Sequence, residues 1–145
     1  MRKKILLICL ILVIPLFIIS CKKTDDSSPV TLNVVDIDVL SNKDLLSIVN
    51  DDSLDEGVYL IQTKSNKYIF FNGKKNSYID IYCSLDNETL IINATTKSNV
   101  DDNKKLYLIQ ERNTTSSNER SQFYQNITLI INNKESSFNS SFINN

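Results

Sequence analysis

Residues 78–83 read YIDIYC, and residues 89–95 read TLIINAT. Apolar side chains occupy every second position in both runs, which is the pattern of a half-buried β-strand. The predicted inward faces comprise Ile79, Ile81, Cys83, Leu90, Ile92 and Ala94. Residues 85–88 read LDNE and predict a turn between the runs, so the two strands are expected to run antiparallel.

Strand patterns continue on both sides of this pair. Further strands are predicted over residues 31–40, 58–63, 67–72, 105–110 and 124–131, with an edge strand around Ser137 and Phe138. In the first of these, the inward positions are predicted to be Val35, Ile37 and Val39. Asn72 and Gly73 form a strong turn signal before the central pair. The short connections favour a mainly β fold of about seven antiparallel strands, arranged as a small sandwich or barrel.

One short helix is predicted early in the domain, over residues 42–50. Ser41 begins a pattern similar to a capping box, in which Asp44 stands where Glu or Gln is usual. The positions that follow supply an apolar stripe at helical spacing: Leu45, Leu46, Ile48 and Val49.

The N-terminal segment has the layout of a secretory signal. Residues 2–4 are basic, and residues 5–19 are apolar apart from Pro15. As a helix the apolar block would span roughly 22 Å, which is short of a bilayer core of about 30 Å. Pro15 would also disturb a continuous helix. A cleaved signal is therefore favoured over a permanent membrane span, which stays open as an alternative.

Residues 18–21 read IISC and resemble the lipobox of bacterial lipoproteins, although Ile18 stands where leucine is usual. The resemblance covers only residues 1–21. It implies cleavage before Cys21 and attachment of a diacylglycerol to the Cys21 thiol. It also implies a cell-membrane location on the extracytoplasmic side, in the outer membrane if the source is Gram-negative. Free secretion after ordinary cleavage is the other alternative.

This layout divides the chain into four predicted parts. Residues 1–20 form the signal peptide, residues 21–30 a flexible polar tether, residues 31–138 a single β-rich domain and residues 139–145 a frayed tail. Acidic side chains outnumber basic ones once the signal is removed, so no nucleic-acid partner is expected. The predicted partners are the membrane, through the anchor at Cys21, and an envelope protein or ligand of unknown identity.

The composition excludes several kinds of catalytic site. The chain has no histidine, which removes Ser-His-Asp and Cys-His systems and disfavours a catalytic zinc site. Its two glycines, at positions 57 and 73, leave no glycine-rich phosphate loop. We therefore expect no catalytic residues, no cofactor and no metal. An extracytoplasmic enzyme that uses a Ser–Lys pair or paired carboxylates, such as Asp36 with Asp38 or Asp101 with Asp102, remains the alternative.

Two other features have structural interpretations. Residues 50–57 match the first acidic positions of a calcium loop, but Glu56 occupies the glycine position and Gln62 replaces the closing glutamate, so a solvated turn is predicted. Cys83 would be the free thiol left after processing, and its place in a strand pattern predicts a small buried hydrophobe.

The candidate binding face consists of Tyr78, Asp80 and Tyr82, which share one side of the strand at residues 78–83. Tyr68 and Phe70 are expected beside them. Aromatic side chains on an exposed sheet face are suited to anchoring a partner. The sequence therefore favours a lipid-anchored envelope protein with a non-enzymatic binding or accessory domain. An inhibitor-like accessory module is a further alternative.

Overall fold

A computed structural model describes residues 28–98, 104–112 and 123–143. The predicted signal peptide, the lipid-attachment residue Cys21 and the pair Asp101 and Asp102 lie outside these ranges. The described chain is mainly β, with two sheets and one α-helix, as the sequence predicted.

Sheet A contains five strands in the order β1-β6-β3-β2-β9: β1 is Val30–Val35, β2 is Gly57–Gln62, β3 is Lys67–Asn72, β6 is Lys104–Glu111 and β9 is Ser141–Ile143. Sheet B contains four strands in the order β4-β5-β7-β8: β4 is Asn76–Asp86, β5 is Thr89–Ser98, β7 is Asn126–Ile131 and β8 is Lys134–Ser136. The helix, α1, is Lys43–Val49.

The two sheets pack face to face around the main core. Both contribute alternate side chains that are almost fully buried: Val30, Val58, Ile69, Phe71, Tyr78, Leu90, Ile92, Ala94, Ile109 and Leu129. Burying one aliphatic side chain contributes about 1.5–3 kcal/mol, so this shared layer is the main source of stability. The predicted inward positions Leu90, Ile92 and Ala94 are confirmed.

Helix α1 covers the opposite face of sheet A and forms a second core. Leu45 and Val49, four positions apart, lie on the same helix face and pack with Tyr59, Phe70 and Leu106. The helix begins one residue later than predicted, because the Asn42 side chain accepts hydrogen bonds from the backbone N–H groups of Asp44 and Leu45. Asn42, and not Ser41, is therefore the N-cap.

The first strand is shorter than predicted. β1 ends at Val35, and Ile37–Val39 form a 3₁₀ helix whose N-cap, Asp36, accepts a hydrogen bond from the Asp38 N–H. The Asp side chain thus stabilises a turn where the apolar alternation alone predicts a continued strand. Val35 and Ile37 pack against the second core as expected, but Val39 is 75% exposed, so its predicted inward position is wrong.

Asn72 and Gly73 do not form a hairpin turn. Strand β3 pairs with β2 and β6, whereas β4 lies in the other sheet, so the chain crosses between sheets here. The Asn72 side chain is buried, and its amide donates hydrogen bonds to the carbonyls of Leu54 and Asp55. The Asn72 side chain therefore holds the chain at the point where it crosses between the sheets. Asn72 does not have the positive φ of a tight hairpin turn.

Two pairings are parallel, and this corrects the predicted antiparallel arrangement. Strand β7 pairs with β5, and β9 pairs with β2, in parallel register. Residues 139–145 were expected to fray, but Ser141–Ile143 form an edge strand. The predicted edge strand around Ser137 and Phe138 lies earlier, at Lys134–Ser136, after a turn in which Asn132 and Asn133 both have positive φ.

Candidate functional site

A β-bulge at Asp80 decides which side chains of β4 face the solvent. The register with β5 shifts between Ile79 and Tyr82, and Asp80 adopts a φ of +49°. Asp and Asn adopt this left-handed conformation more easily than other non-glycine residues. The Asp80 carboxylate also accepts a hydrogen bond from the Thr95 hydroxyl, with 3.0 Å between the oxygens. The bulge reverses which side chains of β4 point into the core. Even-numbered side chains such as Tyr78 point inward before the bulge, and those after it, such as Tyr82, point outward.

Tyr78 therefore lies inside the sandwich, and its predicted place on an exposed face is wrong. Its side chain is 5% exposed and its ring centroid lies 5.2 Å from that of Phe71. Burial, together with the nearby charge of Glu56, raises the pKa of the Tyr78 phenol. The Lys105 ammonium donates a hydrogen bond to the Tyr78 carbonyl over 3.0 Å. These contacts give Tyr78 a structural role at the start of β4.

Tyr68 and Phe70 do not lie beside Tyr82 as expected. Both belong to β3 in sheet A, where Phe70 is fully buried and Tyr68 packs against the second core. Of the three residues predicted to form a binding face, Asp80 and Tyr82 are exposed, and Tyr82 is 50% exposed.

The register of sheet B places other side chains next to Tyr82. Leu90, Ile92 and Ala94 point into the core, so the residues between them point outward. Tyr82 lies opposite Asn93, which in turn lies opposite Ile130, while Ile91 lies opposite Thr128. We call this group the outer face of sheet B: Tyr82, Ile91, Asn93, Thr128 and Ile130.

The outer face of sheet B combines one exposed aromatic ring with half-buried polar and apolar side chains. The spacing of paired strands, about 4.8 Å, makes such a surface shallow and continuous. It suits contact with another surface, in which the ring supplies buried area and the amide and hydroxyl supply hydrogen bonds. The exposure of Tyr82 agrees with the sequence pattern, and Asn93, Thr128 and Ile130 join it through pairings that are distant along the chain.

A cleft of about 410 Å³ lies at the edge of the sandwich between β7, β8 and the segment that leads to β9. Its lining includes the apolar side chains Leu60, Ile127, Leu129 and Phe138 and the serines 136, 137 and 140. The volume falls in the range of small-ligand pockets, which is about 300–1,000 Å³. The cleft is a second candidate site, and no pattern along the sequence indicated it.

The acidic loop is held by hydrogen bonds and by an ion pair within the protein. The Glu56 carboxylate accepts hydrogen bonds from the Asn76 side chain and the Lys75 N–H, each over 2.7 Å, and these bonds lower its pKa. Asp51 binds the Ser53 hydroxyl and N–H, which lowers the pKa of the Asp51 carboxyl. The Lys104 ammonium contacts Asp52 at 2.9 Å. Among the described residues, no three His, Cys, Asp or Glu side chains form a group able to hold a metal ion.

Two other titratable groups are shielded from solvent, since Cys83 is half-buried and Tyr124 is fully buried. Cys83 packs against the main core, its thiol lies 3.7 Å from the Val30 carbonyl, and burial raises its pKa, which disfavours the reactive thiolate. Burial and the neighbouring Glu111 raise the pKa of Tyr124 to about 12, and the Lys67 ammonium lies 4.7 Å from the centroid of the Tyr124 ring. Both arrangements favour a structural role over a chemical one.

No helix in the described part of the chain is long and apolar enough to cross a membrane. Comparison with protein-family models, with curated proteins and with solved structures finds no match to this chain.

Proposed function

We propose that the chain is a lipid-anchored envelope protein whose β-sandwich binds a partner and does not catalyse a reaction. The anchor rests on the basic start, the apolar block and the sequence IISC at residues 18–21. Two acyl chains give stable membrane attachment, because each buried CH₂ group contributes about 0.8 kcal/mol. The protein would work on the extracytoplasmic side of the membrane.

The observation that supports binding is the outer face of sheet B. It places the half-exposed Tyr82 ring beside Asn93 and Ile130 on a continuous surface. The alternative of a Ser–Lys or carboxylate enzyme has less support. The amines of Lys74, Lys104 and Lys105 contact carbonyl or carboxylate oxygens, and the Asp36 carboxylate caps a 3₁₀ helix. These contacts give the four side chains structural roles.

The anchor is tested by labelling cells with a fatty-acid analogue. Wild-type protein is expected to incorporate the label, and a Cys21→Ala variant is expected to lose it. A Cys83→Ala variant is the matched control, because it removes a different thiol and should label like wild type. Equal labelling of wild type and Cys21→Ala would refute the lipid anchor.

The binding surface is tested by a pull-down from detergent-solubilised envelopes. Wild-type protein is expected to recover a reproducible partner, and Tyr82→Ala is expected to recover much less of it, since aromatic side chains often dominate an interface. Val34→Ala is the control, because Val34 is 76% exposed but lies on β1, in the other sheet. Equal recovery by all three proteins would exclude the outer face of sheet B as the binding surface.

A further inference from the structure

The cleft at the edge of the sandwich lies beside a part of β7 that β8 does not cover. Strand β7 pairs with β5 along its whole length, from Asn126 to Ile131. On its other side β8 pairs with residues 129–131 alone, because β8 ends at Ser136 and the chain then leaves sheet B. Within the described part of the chain, the first half of β7, residues 126–128, therefore has no strand neighbour on the cleft side.

The backbone alternation of β7 directs the polar groups of Ile127 into this gap. The N–H groups of Asn126 and Asn132 donate to backbone carbonyls on the β5 side, over 3.2 and 3.0 Å. Successive residues of a strand direct their N–H groups to opposite edges, so those of Ile127 and Leu129 face away from β5. Strand β8 pairs with Leu129. The N–H and C=O of Ile127 are left facing the cleft.

The opposite wall of the cleft is fixed by packing and by backbone hydrogen bonds. The side chains of Phe138 and Leu60 pack against the main core. The Asn139 N–H donates to the Val58 carbonyl over 2.8 Å, and the Leu60 N–H donates to the Ser140 carbonyl over 3.2 Å. Because these contacts hold the wall in place, the cleft of about 410 Å³ is part of the fold itself, as ligand pockets usually are.

The cleft also has a negative charge on its outward side. Among the described residues that line the cleft, Glu135 is the charged one, and its side chain is exposed. It points outward, because the next residue, Ser136, pairs with the buried Leu129 and faces inward. On a strand added beside β7, the side chain opposite Ile127 would face the apolar floor. Its sequence neighbours would face outward, on the side of Glu135.

We propose that the cleft binds an extended peptide of a partner protein, which adds to sheet B as a short strand antiparallel to β7 and in line with β8. The N–H and C=O of Ile127 bond to the peptide backbone. One apolar peptide side chain packs on Leu60 and Phe138, and a neighbouring Lys or Arg of the peptide approaches Glu135. An open strand edge selects an extended peptide, because a second backbone supplies the matching acceptor and donor. This binding does not depend on a contact with Tyr82.

The binding test uses the full chain, purified in detergent, and a fluorescent pentapeptide of alternating Lys and Ile. Fluorescence anisotropy is expected to show saturable binding with a Kd below about 1 mM. Methylation of the Ile amide nitrogens removes the donors that face β7 and should weaken binding about tenfold. Methylation of the Lys amide nitrogens, which face away from β7, is the matched control and should weaken it much less. No saturable binding, or equal weakening by both methylations, would overturn the proposal.

Two further measurements test whether the peptide binds in this cleft. Hydrogen exchange of the Ile127 amide, followed by NMR, is expected to slow when the peptide is added, whereas that of the already bonded Asn126 amide should change little. Glu135→Gln should weaken binding of the Lys-Ile peptide about threefold. Asp38→Asn is the matched control, because it removes an exposed carboxylate from the 3₁₀ helix before α1. Unchanged exchange at Ile127 with peptide bound, or equal weakening by both substitutions, would overturn the proposal.

Discussion

Strands β4 and β5 lie side by side in sheet B, but only β5 keeps one alternation of faces along its length. In β5 the core side chains are Leu90, Ile92 and Ala94, as its pattern predicts. In β4 the bulge at Asp80 reverses the faces, so that Tyr78 is buried and Tyr82 is half exposed. The difference shows that alternation predicts a face only as far as the next irregularity in the strand.

The two tyrosines of β4 should differ most in how much their loss destabilises the protein. Tyr78→Ala should lower the free energy of unfolding by about 3–5 kcal/mol, because it removes a buried ring that packs on Phe71. Tyr82→Ala should cost less than about 1 kcal/mol, since its ring is half exposed. Urea denaturation of both variants measures this difference. Equal costs would show that the faces of β4 do not reverse.

The next effect tests the regular strand. Ile92→Ala should lower the free energy of unfolding by about 2–5 kcal/mol, because the side chain is fully buried between the sheets. Ile91→Ala removes the same atoms from the neighbouring position on the outer face and should cost clearly less. A reversed order of the two costs, measured by thermal or urea unfolding, would contradict the assigned faces of β5.

A smaller effect concerns the bulge itself. Asp80→Val places a β-branched side chain in the left-handed region and should cost about 1–2 kcal/mol. Asp80→Asn tolerates this conformation and should change stability much less. If valine and asparagine were equally tolerated in denaturant titrations, the positive φ at residue 80 would be excluded.

The smallest effect is pH-dependent and concerns the loop that leads into β4. The pKa of Glu56 lies below its ordinary value of 4.5, so its ionised form is favoured in the folded protein. Its stabilising contribution is present above pH 4.5 and is lost as the pH falls through the folded-state pKa. Wild type should therefore have a higher free energy of unfolding than Glu56→Gln at pH 7. This difference between the two proteins should disappear in acid. A gap that widens in acid would contradict the hydrogen bonds to Asn76 and Lys75.

The sequence predicted the fold class and most strands, because half-buried strands have a pattern of their own. It did not predict the parallel pairings of β7 with β5 and of β9 with β2, since these join segments that are distant along the chain. Side chains that bond to the backbone also overrode the pattern. Asp36 and Asn42 bond to N–H groups two or three residues away, whereas Asn72 bonds to the distant carbonyls of Leu54 and Asp55.

The candidate site was only partly predictable for the same reasons. The sequence does contain a local signal for the bulge. Among the described residues, four non-glycine residues have a positive φ: Asp80, Asn87, Asn132 and Asn133. Neither glycine has a positive φ. In a chain with two glycines, Asp and Asn take the left-handed positions. An aspartate inside an apolar run therefore marks a place where a bulge, as at Asp80, or a turn, as at Asp36, can interrupt the strand. The partners of Tyr82 on β7 depend on strand pairing and had no such signal.

Strand β4 reverses its faces at Asp80. Solvent paramagnetic relaxation, measured by NMR on the tyrosine rings with a soluble gadolinium probe, tests it most directly. The structure predicts strong broadening of the Tyr82 ring signals and little broadening of those of Tyr78. Comparable broadening of both rings would contradict the reversal and would return Tyr78 to the exposed face with Tyr82.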